Sequence, residues 1–402
     1  MAMTEELIDV KELIASRSVE EHCRLAEHYF TGLDDWTYYL GKPFTDPEQT
    51  PQLLINFALL LQGLQLCPGL KVLDFGAGSC WTSHFLTQLN CKVFALDASE
   101  TALKMGRELY ARHPPFGHRP APQFLRFDGE RIDLPDKSVE RIVCFDAFHH
   151  VPNPERILSE FSRVLVEGGI AGFSEPGPQH SNSPDSQREM RDFGVIENDV
   201  VIEQIWNEAE RLGFTDLKLS VFHLPPFHLS LAAFNDLIAG GATAQDYTAA
   251  TRDYIQHQRN FFLFKGERKI SDSRFRRGLT AKIDVQEQRL RLRAGEEIRF
   301  PVTIINDSPA IWLPVSERVG SVELGVHVYL PDGTLLHHRF HSEPLTPDTG
   351  RAIMPNEKVE LVTRIPPLCA GSYVLELDMV SNDVCWFTQN GSPTVHVQVE
   401  VN

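Results

Sequence analysis

Val72-Leu73-Asp74-Phe75-Gly76-Ala77-Gly78-Ser79-Cys80 runs a short apolar stretch into a loop with two glycines. Glycine lets the backbone turn tightly and approach a ligand closely, so such a loop ahead of a helix is a seat for a nucleoside cofactor. Asp97 lies 23 residues after Asp74, at the end of a second apolar run, and is followed by Ala98. A carboxylate placed there can accept hydrogen bonds from ribose hydroxyls. A pyrophosphate fits poorly. The sixth loop position, a glycine in dinucleotide fingerprints, holds Trp81, and Asp74 sets a negative charge beside the phosphates. The same carboxylate suits a cationic ligand without phosphate, and S-adenosylmethionine, with its sulfonium and amino group, is such a ligand.

Methyl transfer from that cofactor is an in-line displacement, accelerated largely by positioning. A hydroxyl acceptor also needs a base near neutral pH, a role that suits histidine. Three candidates follow strand-like runs: His149-His150, then Glu175 before Pro176-Gly177, then His180 in a polar loop. Packing accounts equally well for His150, solvation for His180 and turn formation for Glu175. Of the histidines, His180 is the preferred base, because its loop is free to approach an acceptor. Glu197 and Asp199 are expected to open the next helix, where carboxylates offset the dipole. No H-x-x-x-H spacing or carboxylate cluster calls for a metal, so none is expected.

The elements that must position these residues alternate. Apolar runs at Lys71–Phe75, Lys92–Leu96, Gln123–Phe127, Arg141–Phe145, Ile170–Ser174, Leu217–Phe222 and Phe261–Phe264 read as strands. Amphipathic stretches at Thr82–Gln88, Glu100–Tyr110, Pro154–Val166 and Asp199–Leu212 read as crossover helices, together a parallel α/β sheet. Residues 1–68 read as a helical cap with an aromatic loop, Trp36, Tyr38, Tyr39 and Phe44, of which the first three could form a lid. From about 280 the pattern changes to two-residue alternation punctuated by turns such as Pro331-Asp332-Gly333 and Pro347-Asp348, which predicts a β-sandwich.

Taken together, the motifs resemble class I S-adenosylmethionine-dependent methyltransferases. Val72–Cys80 is similar to that family's first motif, Ala95-Leu96-Asp97 to its ribose-binding acid, and Phe127-Asp128-Gly129 to the acidic turn that meets the adenine amino group. Leu134–Ile142 with Cys144–Val151 resembles the fourth-strand region, and Glu160–Gly169 the helix and turn before strand five. The resemblance covers about residues 70 to 265; Cys80 departs from it, standing where the family often has a third glycine. It implies a Rossmann-like α/β domain over 69–266, with strand order 3-2-1-4-5-7-6 and strand seven antiparallel. It also implies S-adenosylmethionine as cofactor, held by Asp74, Gly76, Ala77, Gly78, Trp81, Asp97, Ala98, Asp128, Gly129 and Asp146. Gly78–Ser83, Glu175-Pro176-Gly177 and Phe193–Asp199 are similar to bacterial glycan and surface-polysaccharide methyltransferases. In the 280–402 sandwich, expected to be Ig-like, Ile304–Asp307, Trp312 and Val384–Phe387 are similar to the carbohydrate-binding domain of O-antigen exporters. Trp312 and Trp386 could stack on sugars or fill a core.

Composition narrows the partners. A net charge of −17 with no basic patch beyond Arg274, Arg276 and Arg277 disfavours nucleic acid. Leu53–Leu66 is too short and too interrupted to span a bilayer, and Met1–Arg17 does not read as a secretory signal. Seven scattered cysteines without a C-x-x-C pair fit a reducing cytoplasm. The expected acceptor is a sugar hydroxyl of a glycan or glycan precursor, and self-association into a homo-oligomer is compatible with the sequence. The rivals are a small-metabolite methyltransferase with an apolar pocket built from Leu224–Ile238, and a non-catalytic glycan-recognition or assembly subunit. An NAD oxidoreductase ranks last, for the reasons given at Trp81 and Asp74.

Overall fold

The computed structural model describes residues 7–220, 229–267, 271–346 and 350–402. Val221 and Phe222 of the expected sixth strand, residues 224–228 of the expected pocket and the Pro347-Asp348 turn lie outside the described residues. The chain forms two compact units, one of residues 1–66 and 70–268, the other of 67–69 and 269–402.

Four helices open the first unit: α1 Val10–Ala15, α2 Val19–Thr31, α3 Thr37–Gly41 and α4 Thr50–Leu64. Then β1 Lys71–Phe75, α5 Trp81–Gln88, β2 Lys92–Asp97, α6 Glu100–Arg112, β3 Gln123–Arg126, β4 Val139–Phe145 and α7 Pro154–Val164 alternate. They are followed by β5 Leu165–Pro176, α8 Pro184–Phe193, α9 Ile202–Arg211, β6 Phe214–Ser220, α10 Leu231–Ile238, α11 Ala242–His257 and β7 Gln258–Lys265. Local chemistry sets several of these boundaries. Ser18 and Glu21 close a capping box on α2, and the Ser99 hydroxyl accepts the Ala102 N–H at the start of α6.

The seven strands form one sheet in the order β3-β2-β1-β4-β5-β7-β6, with β7 antiparallel to both neighbours and the other pairs parallel. That is the order expected from the resemblance. Right-handed crossovers leaving β1 in opposite directions put α5 and α6 on one face and α7 and α9 on the other. The order reverses between β1 and β4, which opens a crevice at their carboxyl ends. Beneath it the core is aromatic: Phe173 and Phe261 stack 4.5 Å apart, and Phe161 and Phe214 are fully buried.

Two close approaches fix the walls of the crevice. A Cβ on Gly63 would lie 2.0 Å from the Phe262 ring, so glycine alone lets α4 settle onto β7. Cys80 adopts φ +63°, a left-handed conformation that glycine takes most easily. Its Sγ fits because the facing residue on α6 is Gly106, where a Cβ would stand 2.4 Å away.

The second unit is all β, with β8 Ala281–Val285, β9 Arg289–Leu292, β10 Pro301–Asn306, β11 Val322–Tyr329, β12 Leu335–Pro344, β13 Lys358–Val362, β14 Gly371–Ser381, β15 Cys385–Trp386 and β16 Val395–Val401. Strands β13-β10-β8 make one sheet and β12-β11-β14-β16-β9 another, with β15 paired to β14. One buried cluster draws on both sheets, including Val302, Ile304, Val326, Leu375 and Val397. Trp312 lies inside it, fully buried, its indole N–H donating to Ser308 Oγ at 3.0 Å. It is therefore a core residue and not a sugar platform. Trp386 is half-buried, beside His327 and His338.

Candidate active site

A cavity of about 450 Å³ opens at the crevice. Gly76, Ala77, Gly78, Trp81, Asp97 and Ala98 line it, as do Gly129, Asp146 and His150. Nine of the ten expected cofactor residues are in or beside this lining; the exception is Asp74. Asp128 sits at the rim between Phe127 and Gly129, which both line the cavity, and its Oδ1 accepts the N–H groups of Glu130 and Arg131.

The loop is pre-set. Gly76 and Gly78 take φ +67° and +51°, and the Gly78 N–H donates to Asp97 Oδ2 at 2.8 Å while the Ser99 N–H donates to Oδ1 at 2.7 Å. Burial raises the Asp97 carboxyl above its usual range, against these two hydrogen bonds. Gly129 also has positive φ, and a Cβ there would strike Val19 and Cys23 of α2. Helix α2 is tied down by Glu27, which accepts from the hydroxyls of Ser99 and Thr101.

Asp74 corrects the sequence reading. It is fully buried beneath the loop, and its Oδ2 accepts from Thr82 Oγ1 at 2.7 Å and Ser83 Oγ at 2.6 Å. Burial pushes its pKa up to about 6. It braces the start of α5 and does not line the cavity.

The base candidates separate. Glu175 is wholly buried: it accepts the backbone N–H groups of Ala147, Phe148 and His149 and bonds His149 Nδ1 at 2.8 Å. It pins the turn after β4 and reaches no acceptor. His180 is held by Glu197, with Nε2 2.8 Å from Oε2, and is not part of the cavity wall, so the preference for it is overturned. His150 is on that wall. Its Nδ1 lies 2.5 Å from the Ile196 carbonyl, an acceptor only, so Nδ1 carries the proton and Nε2 keeps its lone pair. Burial and the adjacent His149 lower the His150 pKa, which favours the neutral ring.

Behind His150 lies a network that sequence reasoning missed. Glu197 does not open a helix; it is buried within 3.4 Å of His150, 3.7 Å of His149 and 2.8 Å of His180. Asp199 accepts the Ser181 N–H instead, so α9 begins three residues later. Burial would lower the His149 pKa, but Glu175, Asp146 and Glu197 raise it to about 9. His149, His150 and Glu197 offer ligand atoms within 4.8 Å of one another, an arrangement a metal ion could use. In the sequence His149 and His150 stand side by side near Asp146, which left a metal there as a minor alternative, but Glu197 lies far along the chain and was not connected to them.

The N-terminal segment contributes as well: Tyr29, Phe30, Tyr38, Tyr39 and Lys42 line the cavity, as does Glu189 of α8. Tyr38 and Tyr39 thus stand where a lid was expected, while Trp36 is not among the lining residues. Asp146 holds φ +52°, a strained backbone of the kind found at functional sites.

This geometry defines an α/β domain with a nucleoside seat and an adjoining acceptor space. Residues 73–173 match the family model "Methyltransferase domain". The chain is 23% identical over 184 residues to a sterol 24-C-methyltransferase of Yarrowia lipolytica, covering 40% of this chain and 46% of that protein. It is 33% identical over 113 residues to a sarcosine/dimethylglycine N-methyltransferase of Halorhodospira halochloris, covering 28% and 39%. The chain spans less than half the length of these curated relatives. Among solved structures it is similar to the phosphoethanolamine N-methyltransferase 2 of Haemonchus contortus in complex with S-adenosyl-L-methionine. That match has 18% identity, a TM-score of 0.42, and covers 62% of this chain and 60% of that one.

Proposed function

We propose that the protein is an S-adenosylmethionine-dependent methyltransferase acting on a hydroxyl, with His150 as the base. The observation that carries this is the Ile196-held His150 lining the same cavity as the Gly76–Gly78 loop and Asp97. The residues fit the cofactor: two left-handed glycines leave room for the nucleoside, and Asp97, already fixed by the loop, meets the ribose. When bound, the cofactor supplies an electrophilic methyl group on a sulfonium. His150 Nε2 takes the acceptor's proton, and the Ile196 carbonyl fixes the tautomer and orientation. Glu175 and Glu197, through His149, hold the turn that carries His150.

The acceptor we favour is a sugar hydroxyl of a glycan or glycan precursor, with the second unit acting as a recognition sandwich. Support comes from Trp386, half-buried, edge-on to His338 and packed against Gly325, where a Cβ would lie 2.3 Å from the indole. The aromatic wall of Tyr29, Phe30, Tyr38 and Tyr39 favours a second reading, a small apolar metabolite. Seven free cysteines support a reducing compartment, and no helix among the described residues is long and apolar enough to cross a membrane. Transfer of labelled methyl to a panel of sugar nucleotides, oligosaccharides and small phenols tests the assignment. Label on sugars supports the first reading, label on phenols alone supports the second, and label on neither panel, with the cofactor bound, contradicts both.

A further inference from the structure

We propose that Lys42 and Asp146 form a subsite for an α-amino-acid zwitterion, in which Lys42 holds the carboxylate of the cofactor's methionine moiety. This rests on the cofactor reading above. Lys42 is the only lysine or arginine among the residues lining the cavity. The remaining charged wall is largely anionic, with Asp97, Asp146 and Glu189. A carboxylate entering this space finds its lysine or arginine partner, among the described lining residues, in Lys42 alone.

Position places Lys42 on the methionine side. Helix α3, just before it, is fastened to the glycine loop by Ser79 Oγ, which donates to the Tyr39 carbonyl at 2.9 Å. Asp146 directly follows β4, and the next residue, Ala147, abuts Gly76 so closely that a Cβ there would lie 2.4 Å away. Asp146 follows β4 while Asp97 ends β2 on the other side of β1, and the charges that act on Lys42 are those of Asp146 and Glu189. A nucleoside whose ribose meets Asp97 extends its amino-acid end toward Lys42 and Asp146.

Both side chains are poised rather than paired. Among the described residues neither makes an ion pair, although the charge of Asp146 acts on Lys42. The Lys42 ammonium is 5.3 Å and 5.5 Å from the ring centroids of Tyr38 and Tyr39, cation–π contacts that orient it without neutralising it. Burial lowers its pKa, with Asp146 and Glu189 partly offsetting the effect. A desolvated cation without a counter-ion is costly, and a ligand carboxylate supplies the missing partner. Asp146 complements the ammonium of the same zwitterion.

The test is titration calorimetry on the full chain with S-adenosylmethionine, S-adenosylhomocysteine, decarboxylated S-adenosylmethionine and 5′-methylthioadenosine. Lys42→Met is expected to weaken the first two by about 10- to 150-fold, the loss of one charge-assisted hydrogen bond. The two ligands without a carboxylate should change by no more than about two-fold, and Lys42→Arg should restore most of the loss. Unchanged binding of S-adenosylmethionine, or an equal loss for all four ligands, overturns the assignment. The wild type gives a check independent of any variant: equal affinity for S-adenosylmethionine and its decarboxylated form also overturns it. A wild type that binds none of the four overturns the cofactor reading instead.

Discussion

The Gly78 N–H donates to Asp97 Oδ2 at 2.8 Å, so the turn after β1 and the acid that ends β2 hold each other before any ligand arrives. The carboxylate is desolvated and already oriented, which lowers the cost of ordering the site when ribose binds.

Asp97→Ala should therefore weaken S-adenosylmethionine by about 10- to 150-fold, through lost hydrogen bonds to a charged acceptor. Asp97→Asn, which keeps an acceptor for the Gly78 N–H, should lose less. Calorimetry on both variants checks this, and an unchanged dissociation constant in the alanine variant would remove Asp97 from the ribose site.

His150→Ala should reduce turnover about 10²- to 10⁴-fold, the usual range for general-base catalysis, with cofactor affinity nearly intact. His180→Ala should have a much smaller effect, since its ring is committed to Glu197. Because burial and His149 lower the His150 pKa, the acidic limb of the rate profile should fall below the ordinary histidine value of about 6.5. A limb above that value, or equal losses in the two variants, would contradict the assignment.

His149 should make stability depend on pH. Its folded pKa, about 9, lies above the unfolded value, so its contribution is fully present below about pH 6.5 and is lost as pH rises through about 9. The difference amounts to about 3 kcal/mol if the whole shift is realised. Wild type and His149→Gln should converge in melting temperature between pH 7 and 9.5. Parallel curves over that window would show that the ring is not held as an imidazolium.

Gly106→Ala should destabilise by about 1–3 kcal/mol, the usual cost of overpacking, because the added methyl meets Cys80 Sγ. Cys80→Gly in the same chain should recover part of the loss and also relieve the left-handed cysteine. Thermal melts of the single and double variants measure the coupling; simple additivity would mean the two residues do not press on each other.

The cofactor half of this site was legible in the sequence because one continuous motif builds it. Gly76, Gly78 and Asp97 sit at strand ends, and strand ends are fixed by apolar periodicity. Asp74 was misplaced since the motif shows that an acid is present, not that Thr82 and Ser83 occupy it. The rest of the cavity was not legible. Lys42, Glu189 and Glu197 come from three separate segments, and only tertiary packing brings them to the cavity or to its histidines. The same limit misdirected the base: a histidine in a polar loop reads as free, and Glu197, 17 residues away, holds His180 in place.

Titration calorimetry with S-adenosylmethionine and with NAD tests the central claim most directly. The account predicts that S-adenosylmethionine binds in the low-micromolar range or tighter, corresponding to about −8 kcal/mol. NAD should give no heat of binding, because Trp81 stands at the sixth position of the loop and lines the cavity. Binding of NAD without S-adenosylmethionine would contradict it.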